Sequence, residues 1–199
     1  QGDRSMRGVL IAICAVSYFA AVAVQAETRQ SSPTQYGGGA FSPDGSVLAV
    51  GTGQGEISLF SPDTGAVVDL LRHRDNRRPE HLAWRPDGKR LVSAGRLALH
   101  DMDSRQEISV PAEISKLRMK RIGWSRDGRT LFGVSNQSVI VWSPESGDPP
   151  RNMTAKDQYN WSGALSPDAK SLVSMGEHGY VHLYDLASGG NKELPTGYG

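Results

Sequence analysis

The sequence predicts an all-β protein made of four repeated antiparallel sheets, and three observations support this prediction. A turn motif containing aspartate recurs about every forty residues, and a strand pattern follows each copy at a nearly constant distance. The 199-residue chain also contains 23 glycines and 11 prolines, which indicates many turns between short elements.

The turn motif predicts a tight hairpin in each repeat. Its four copies read FSPDG, WRPDG, WSRDG and LSPDA. Proline favours the φ angle of a turn, aspartate can bond the turn backbone, and glycine accepts positive φ. Ala169 replaces the glycine in the fourth copy, so we expect backbone strain there. The aspartates of the motif are spaced by 43, 40 and 41 residues and are Asp44, Asp87, Asp127 and Asp168.

A second column of residues keeps the same period. Its members lie near the end of the strand that follows each hairpin, are spaced by 40, 42 and 42 residues, and are Phe60, His100, Trp142 and Tyr184. Residues alternate between the two faces of a strand, and here both faces are largely apolar or aromatic. This pattern is typical of a sheet that is covered on both sides by neighbouring sheets.

The segments VIVWSPESG (139–147) and VHLYDLASG (181–189) resemble the end of the third strand in WD-repeat (WD40/YVTN-like) β-propeller proteins. The stretch before the second turn motif resembles the one that carries Gly-His in that family. The resemblance spans residues 39–199 and implies four propeller blades of four antiparallel strands each.

The repeats depart from the family pattern at several positions. Arg72 replaces the glycine before His73, and Ser61 and Ser143 replace the aspartate that follows the aromatic residue. The aspartate that the family usually carries in the turn before the third strand is also missing. The resemblance therefore implies degenerate repeats without the family's complete hydrogen-bonded tetrad.

The N-terminal residues indicate export. Residues 8–26 carry no charge, follow Arg7, and end in the small-residue pattern Val-Gln-Ala, so we predict an apolar helix within residues 1–26 that acts as a signal peptide. The alternative is a single membrane anchor, because a stretch of about 17 to 25 apolar residues can cross a bilayer. Both interpretations place the remainder outside the cytoplasm, in the periplasm or the extracellular space. Residues 27–38 are polar and read as a linker.

The repeats place four blades at residues 39–71, 79–110, 119–153 and 160–195. Because WD-repeat propellers usually have six or more blades, we expect an incomplete ring, and we expect the natural chain to continue. A ring closed by two copies, with eight blades in all, is the other arrangement that the pattern allows.

The loops between blades are basic. In the propeller fold these loops lie on the same side as the turns between the second and third strands. They contain ten Lys and Arg but only three Asp and Glu, counted over residues 72–81, 116–121 and 151–157. We predict a basic rim able to attract an acidic partner; the alternative is a set of solvated loops whose arginine stems cover apolar surface. The basic rim consists of Arg72, Arg74, Arg77, Arg78, Lys116, Arg118, Lys120 and Arg121.

The sequence points to no catalytic, cofactor-binding or metal site. Cys14, the one cysteine, lies in the apolar segment. His178 and His182 are four residues apart, which on a strand would be about 13 Å and too far to share one ion. We read His182 as a packed blade residue and His178 as a turn residue. The formal charge of +1 and the pI near 8.1 give no reason to expect a nucleic acid.

These observations predict a non-catalytic scaffold that mediates protein–protein interaction outside the cytoplasm and needs no cofactor. The expected partner is a protein with an acidic surface, and a membrane is contacted only through an uncleaved N-terminal segment. The alternatives are part of a propeller enzyme or cofactor-bearing dehydrogenase subunit, and the extracytoplasmic propeller of a membrane-anchored protein.

Overall fold

The computed structural model describes residues 36–72, 78–154 and 159–195. Its strands form four antiparallel sheets of four or five strands, which confirms the predicted all-β class. The apolar helix predicted within residues 1–26 lies outside the described residues, as do residues 27–35 of the predicted linker.

The first two sheets, blades 1 and 2, are each formed by neighbouring segments of the chain. Blade 1 has the strand order β1-β2-β3-β4, with β1 Tyr36–Phe41, β2 Leu48–Thr52, β3 Glu56–Phe60 and β4 Val67–Arg72. Blade 2 has the order β5-β6-β8-β9, with β5 Leu82–Trp84, β6 Arg90–Ser93, β8 Ala98–Asp101 and β9 Glu107–Ile108.

The third and fourth sheets, blades 3 and 4, repeat this plan. Blade 3 contains β10 Arg118–Trp124, β11 Leu131–Ser135, β12 Val139–Trp142 and β13 Arg151–Asn152. Blade 4 contains β14 Asn160–Leu165, β15 Ser171–Gly176, β16 Val181–Asp185 and β17 Asn191–Leu194. A one-turn helix, α1 Ala112–Ser115, leads into blade 3, and a 3-10 turn, Glu177–Gly179, joins β15 to β16.

One strand crosses between blades, and the repeat pattern does not predict it. The two-residue strand β7 Gly95–Arg96 lies between β6 and β8 of blade 2 but pairs with β10, so it forms the fifth strand of blade 3. Arg96 lies opposite Arg118, and Gly95 lies opposite Met119. Blades 2 and 3 are therefore linked by backbone pairing as well as by side chains.

The blades follow one another in chain order. Their first strands lie next to each other, with β1 beside β5, β5 beside β10, and β10 beside β14. An apolar cluster fills each junction; the one between blades 2 and 3 includes Val92, Leu99, Ile122, Leu131 and Trp142. Clusters of the same kind join blade 1 to blade 2 and blade 3 to blade 4. Blades 2 and 3 are thus covered on both faces, as the two-faced apolar pattern predicts.

A buried polar network ties three strands of blade 4 together. The Ser174 hydroxyl donates to Asn160 Oδ1 at 2.9 Å, and its oxygen lies 3.3 Å from the Tyr184 hydroxyl. All three side chains are buried. Polar groups removed from water are stable when they are bonded in this way, so the network fixes β14, β15 and β16 in one register.

The turn motif folds as its residue types predict. In the first copy the Ser42 hydroxyl donates to Asp44 Oδ1 at 2.6 Å, and the Ser46 amide donates to the same oxygen at 3.1 Å. Val47 N in turn donates to Ser42 Oγ at 2.9 Å, which ties the turn to the start of β2. The hydrogen bonds from Ser42 and then Ser46 lower the pKa of Asp44 to about 2, so its carboxylate stays ionised.

The glycine position of the turn requires positive φ in all four copies. Gly45, Gly88 and Gly128 have φ of 75°, 74° and 72°, and Ala169 has φ of 55°. An alanine in the left-handed region brings its Cβ close to the backbone, at a cost of roughly 1–2 kcal/mol. The strain predicted for the fourth turn is therefore present.

We expect Ala169→Gly to stabilise the protein by about 0.5–1 kcal/mol, because relief of the strain exceeds the entropy that a glycine adds to the unfolded chain. For a chain of this size the thermal midpoint should rise by about 1–4 °C. Differential scanning calorimetry measures it. Ala66→Gly is the matched control, because Ala66 is exposed and outside the left-handed region, and it should lower the midpoint. A lower midpoint for Ala169→Gly as well would contradict the strain.

Candidate functional site: a basic groove on the loop side of blade 3

The structure places the predicted basic residues in three different settings. Arg72 ends β4, is largely exposed, and its Nε lies 3.5 Å from Glu56 Oε1. Arg78 is exposed in the loop before β5. Arg74 and Arg77 lie outside the described residues, so the first loop contributes two described members of the basic rim.

The four remaining members lie between α1 and the middle of β10. Three of them line one groove and are Lys116, Arg118 and Lys120. Arg121 does not line the groove but lies near His81. Burial of the imidazole lowers the pKa of His81, and the positive charge of Arg121 lowers it further. The structure thus brings together three of the eight predicted residues.

The groove has a volume of about 570 Å³. It lies where the loop that enters blade 3 meets the turn between β11 and β12. Besides the three basic residues, the lining consists of Glu80, Leu117, Ser135, Asn136, Gln137, Ser138 and Tyr159.

Local folding explains why the basic side chains face solvent here. Ile114 of α1 is 1% exposed, and this buried side chain fixes the segment that leads into β10. Along β10, Met119 is buried while Arg118 is exposed and Lys120 is half-buried. Alternation along the strand therefore turns both cations away from the apolar cluster.

One carboxylate partly neutralises the groove. Arg118 Nη2 donates to Glu80 Oε1 at 2.5 Å, and this hydrogen bond raises the pKa of the Arg118 guanidinium. Glu80 precedes β5, so the ion pair connects the loop before blade 2 with blade 3. With one acid against three bases, the lining remains net positive.

The opposite wall is polar and aromatic. Tyr159 accepts a hydrogen bond from Asn136 Nδ2, and Lys120 Nζ lies 5.4 Å from the centre of the Tyr159 ring. That distance is within the range of a cation–π interaction. The three side chains thus hold one another at the mouth of the groove.

The same wall contains a buried acceptor without a described hydrogen-bond partner. Asn136 Oδ1 is buried and has no hydrogen-bond partner within the described ranges. A buried acceptor without a partner is unfavourable by roughly 1–3 kcal/mol. An N–H donor placed in the groove would remove this penalty.

Sequence reasoning missed the polar wall of the groove. It identified the basic loops and the side of the propeller on which they lie, but it did not single out Glu80, Ser135, Gln137 or Tyr159. The propeller topology offered a signal for these residues. Turns between the second and third strands lie on the same side of the propeller as the basic loops, so their residues can line the same groove. Asn136 lies in such a turn, and its contact with Tyr159 depends on how blades 3 and 4 pack.

Metal-binding clusters and membrane-spanning helices are both absent from the part of the chain that the structure describes. Residues 36–72, 78–154 and 159–195 contain no group of three His, Cys, Asp or Glu side chains placed to hold a metal ion. None of the helices in these ranges has the length and apolar character needed to cross a bilayer.

Comparison with known proteins places the fold. No family model matches the chain. Among solved structures, it is similar to a chain of the mitotic checkpoint complex, with 21% identity over 84% of this chain and 53% of that one and a TM-score of 0.72. It is also similar to the RRP9 WD40 repeats, with 15% identity over 83% of this chain and 52% of the other and a TM-score of 0.69.

A third similar structure is a chain of Kuenenia stuttgartiensis hydrazine synthase, with 21% identity over 83% of this chain and 52% of that one and a TM-score of 0.65. Identities at this level show a common fold, which here is the fold of WD40-repeat structures. The chain spans about half the length of each of these three chains.

Proposed function

We propose that this protein is a non-catalytic scaffold that acts outside the cytoplasm and binds an acidic segment of a partner protein in the basic groove of blade 3. The observation that carries the proposal is the lining itself. Lys116 and Lys120 supply positive charge beside a buried acceptor, Asn136 Oδ1, that lacks a partner within the described ranges.

The groove matches the chemistry of an acidic peptide. Carboxylates of the peptide would approach Lys116 and Lys120. A backbone N–H would bond Asn136 Oδ1 once the Asn136 side chain rotates toward the groove, because this oxygen is buried in the present conformation. The Tyr159 ring, which is partly exposed, offers an apolar surface to a neighbouring side chain. Similarity to chains of a mitotic checkpoint complex and to WD40 repeats supports a role in binding proteins, since those structures share the fold.

The position outside the cytoplasm rests on the sequence of residues 8–26, which is uncharged and ends in a small-residue pattern. The alternative function, part of a propeller enzyme or cofactor-bearing dehydrogenase subunit, stays a prediction. The similarity to a hydrazine synthase chain concerns the fold and supports that alternative weakly.

Charge reversal in the groove should weaken peptide binding. The probe is a fluorescein-labelled peptide of alternating Glu and Gly, eight residues long, and fluorescence anisotropy at low salt measures its dissociation constant. We expect Lys116→Glu with Lys120→Glu to raise the constant by about tenfold or more, because two attractions become repulsions. Added salt should weaken wild-type binding by screening these charges.

The matched control for this experiment is Arg126→Glu with Lys170→Glu. Both residues are exposed in turns at the opposite end of the blades, and the change in net charge is identical. Asn136→Ala should weaken the peptide by about two- to tenfold through the lost hydrogen bond. It should weaken polyphosphate, which has no N–H donor, by less, because only the support that Asn136 gives to Tyr159 and Lys120 is lost. Equal weakening by the control pair would contradict the groove as the site.

Cleavage of the predicted signal peptide can be tested separately. When the full chain is expressed in a secreting bacterium, mass spectrometry of the purified protein should find an N-terminus at Glu27, because the small-residue pattern ending at Ala26 suits signal peptidase. A protein that retains residues 8–26 and fractionates with membranes would support the membrane-anchored alternative. Retention in the cytosol with an intact N-terminus would contradict export.

A further inference from the structure

The groove of blade 3 contains a carboxylate of its own, and this carboxylate is bonded to one of the groove's cations. Of the three basic residues that line the groove, Arg118 is the one that pairs with a described carboxylate, that of Glu80. An acidic peptide in the groove would carry the same chemical group, and its carboxylates could also accept hydrogen bonds from Arg118. Two carboxylates on one guanidinium repel each other, so the peptide and Glu80 would compete for Arg118.

The main chain at Glu80 is held in place by the blades on either side of it. The Gly38 amide donates to the Pro79 carbonyl at 3.2 Å, and the Glu80 amide donates to the Ala94 carbonyl at 3.2 Å. Blade 1 also approaches this loop closely. A Cβ atom on Gly38 would lie 2.7 Å from the Glu80 carbonyl oxygen, and one on Gly51 would lie 2.6 Å from the Pro79 carbonyl oxygen. The main chain at Glu80 therefore has little room to move, and its carboxylate stays beside the groove.

The Arg118 side chain is the mobile partner of this ion pair. It is 74% exposed, whereas the Glu80 side chain is 29% exposed. The backbone of β10 is fixed by pairing with β7 and β11, but the Arg118 guanidinium lies at the end of a long, solvated side chain. An ion pair between groups this exposed contributes little to stability, so it breaks and re-forms readily. A ligand could therefore draw Arg118 away from Glu80.

A second arginine explains why Arg118 needs a carboxylate at all times. Arg96 of β7 lies directly opposite Arg118 of β10. Side chains of directly opposite residues project from the same face of a sheet, and like charges in such a pair repel each other. Arg96 Nε donates to the Ser115 carbonyl at 3.2 Å, which keeps Arg96 beside the end of α1. Arg118 is therefore most stable with a carboxylate bound, and Glu80 supplies that carboxylate when the groove holds no ligand.

We propose that Glu80 is an internal competitor of the acidic ligand, an inference that rests on the peptide-binding function proposed for the groove. Lys116 and Lys120 attract the peptide, and Arg118 then exchanges the Glu80 carboxylate for a carboxylate of the peptide. Because the exchange breaks one ion pair to form another, Glu80 limits the affinity of the groove. Arg118 thus contributes to binding only after it leaves Glu80.

Removal of the Glu80 charge tests this role with the same Glu-Gly octapeptide and the same anisotropy measurement. Glu80→Gln keeps the size and shape of the side chain. It should lower the dissociation constant by about three- to tenfold at low salt, because Arg118 no longer has to leave a carboxylate. No tightening by Glu80→Gln would overturn the proposal.

The matched control is Glu113→Gln. Glu113 is exposed in α1 and does not line the groove, and its substitution removes the same charge. It should change the dissociation constant by less than about twofold, since charges outside the contact are screened by solvent and salt. An equal tightening by Glu113→Gln would contradict a specific role for Glu80.

A double-mutant cycle tests the exchange at Arg118 itself. Arg118→Gln should weaken the peptide at least about threefold more in the Glu80→Gln background than in the wild type, because only in that background does the peptide gain the whole interaction with Arg118. An effect of charge at long range would give the same loss in both backgrounds, and that result would rule out the exchange. Circular dichroism and thermal unfolding confirm that each variant folds.

The charge-reversed variant Lys116→Glu with Lys120→Glu separates the role of Glu80 from the function of the groove. If this reversal weakens the peptide while Glu80→Gln leaves its affinity unchanged, the groove remains the binding site and the competition by Glu80 is disproved. If the reversal has no effect, or if neither the wild type nor Glu80→Gln binds the peptide, both proposals are disproved. Binding by Glu80→Gln at concentrations where the wild type does not bind would support both.

Discussion

The structure depends on the packing of one apolar sheet face on the next. A four-stranded sheet exposes two faces, and in blades 2 and 3 both are apolar, so such a sheet cannot remain in water alone. Leu99 and Ile140 belong to the cluster between blades 2 and 3, and Val141 and Tyr184 to the cluster between blades 3 and 4. Each sheet is therefore stable because of its neighbours, and the fold is a stack whose order follows the chain.

The hairpin turns make this stacking regular. A serine and an aspartate two residues apart bond each other and the turn backbone in the first, third and fourth copies. In the second copy Arg85 takes the place of serine and its guanidinium binds Asp87, with Nε 2.9 Å from Oδ1. The turn is preserved because either residue can donate to the carboxylate. Constant turn geometry then keeps the strands of each blade in the same register relative to the next blade.

Much of the fold could be predicted because its signals are local and repeated. Turn chemistry identified the hairpins, including the positive φ at Ala169, and two-faced apolar alternation identified sheets that are covered on both sides. The strand β7 could not be predicted, since two residues carry no pattern and their pairing with β10 depends on how blades 2 and 3 meet. The buried network of Asn160, Ser174 and Tyr184 was missed because its three members lie on different strands of blade 4 and form no local sequence pattern.

The groove shows the same limit. Charge along the chain identified Lys116, Arg118 and Lys120, whereas Glu80 and Tyr159 reach the groove only through contacts between blades.

Native-state hydrogen exchange in a Leu99→Ala variant tests the central claim that face packing holds the blades together. Leu99 of blade 2 is 2% exposed, and its loss should cost about 2–5 kcal/mol. The account predicts that amides of β11 in blade 3 lose protection along with those of β6 and β8. Loss of protection confined to blade 2, with β11 unchanged, would contradict it.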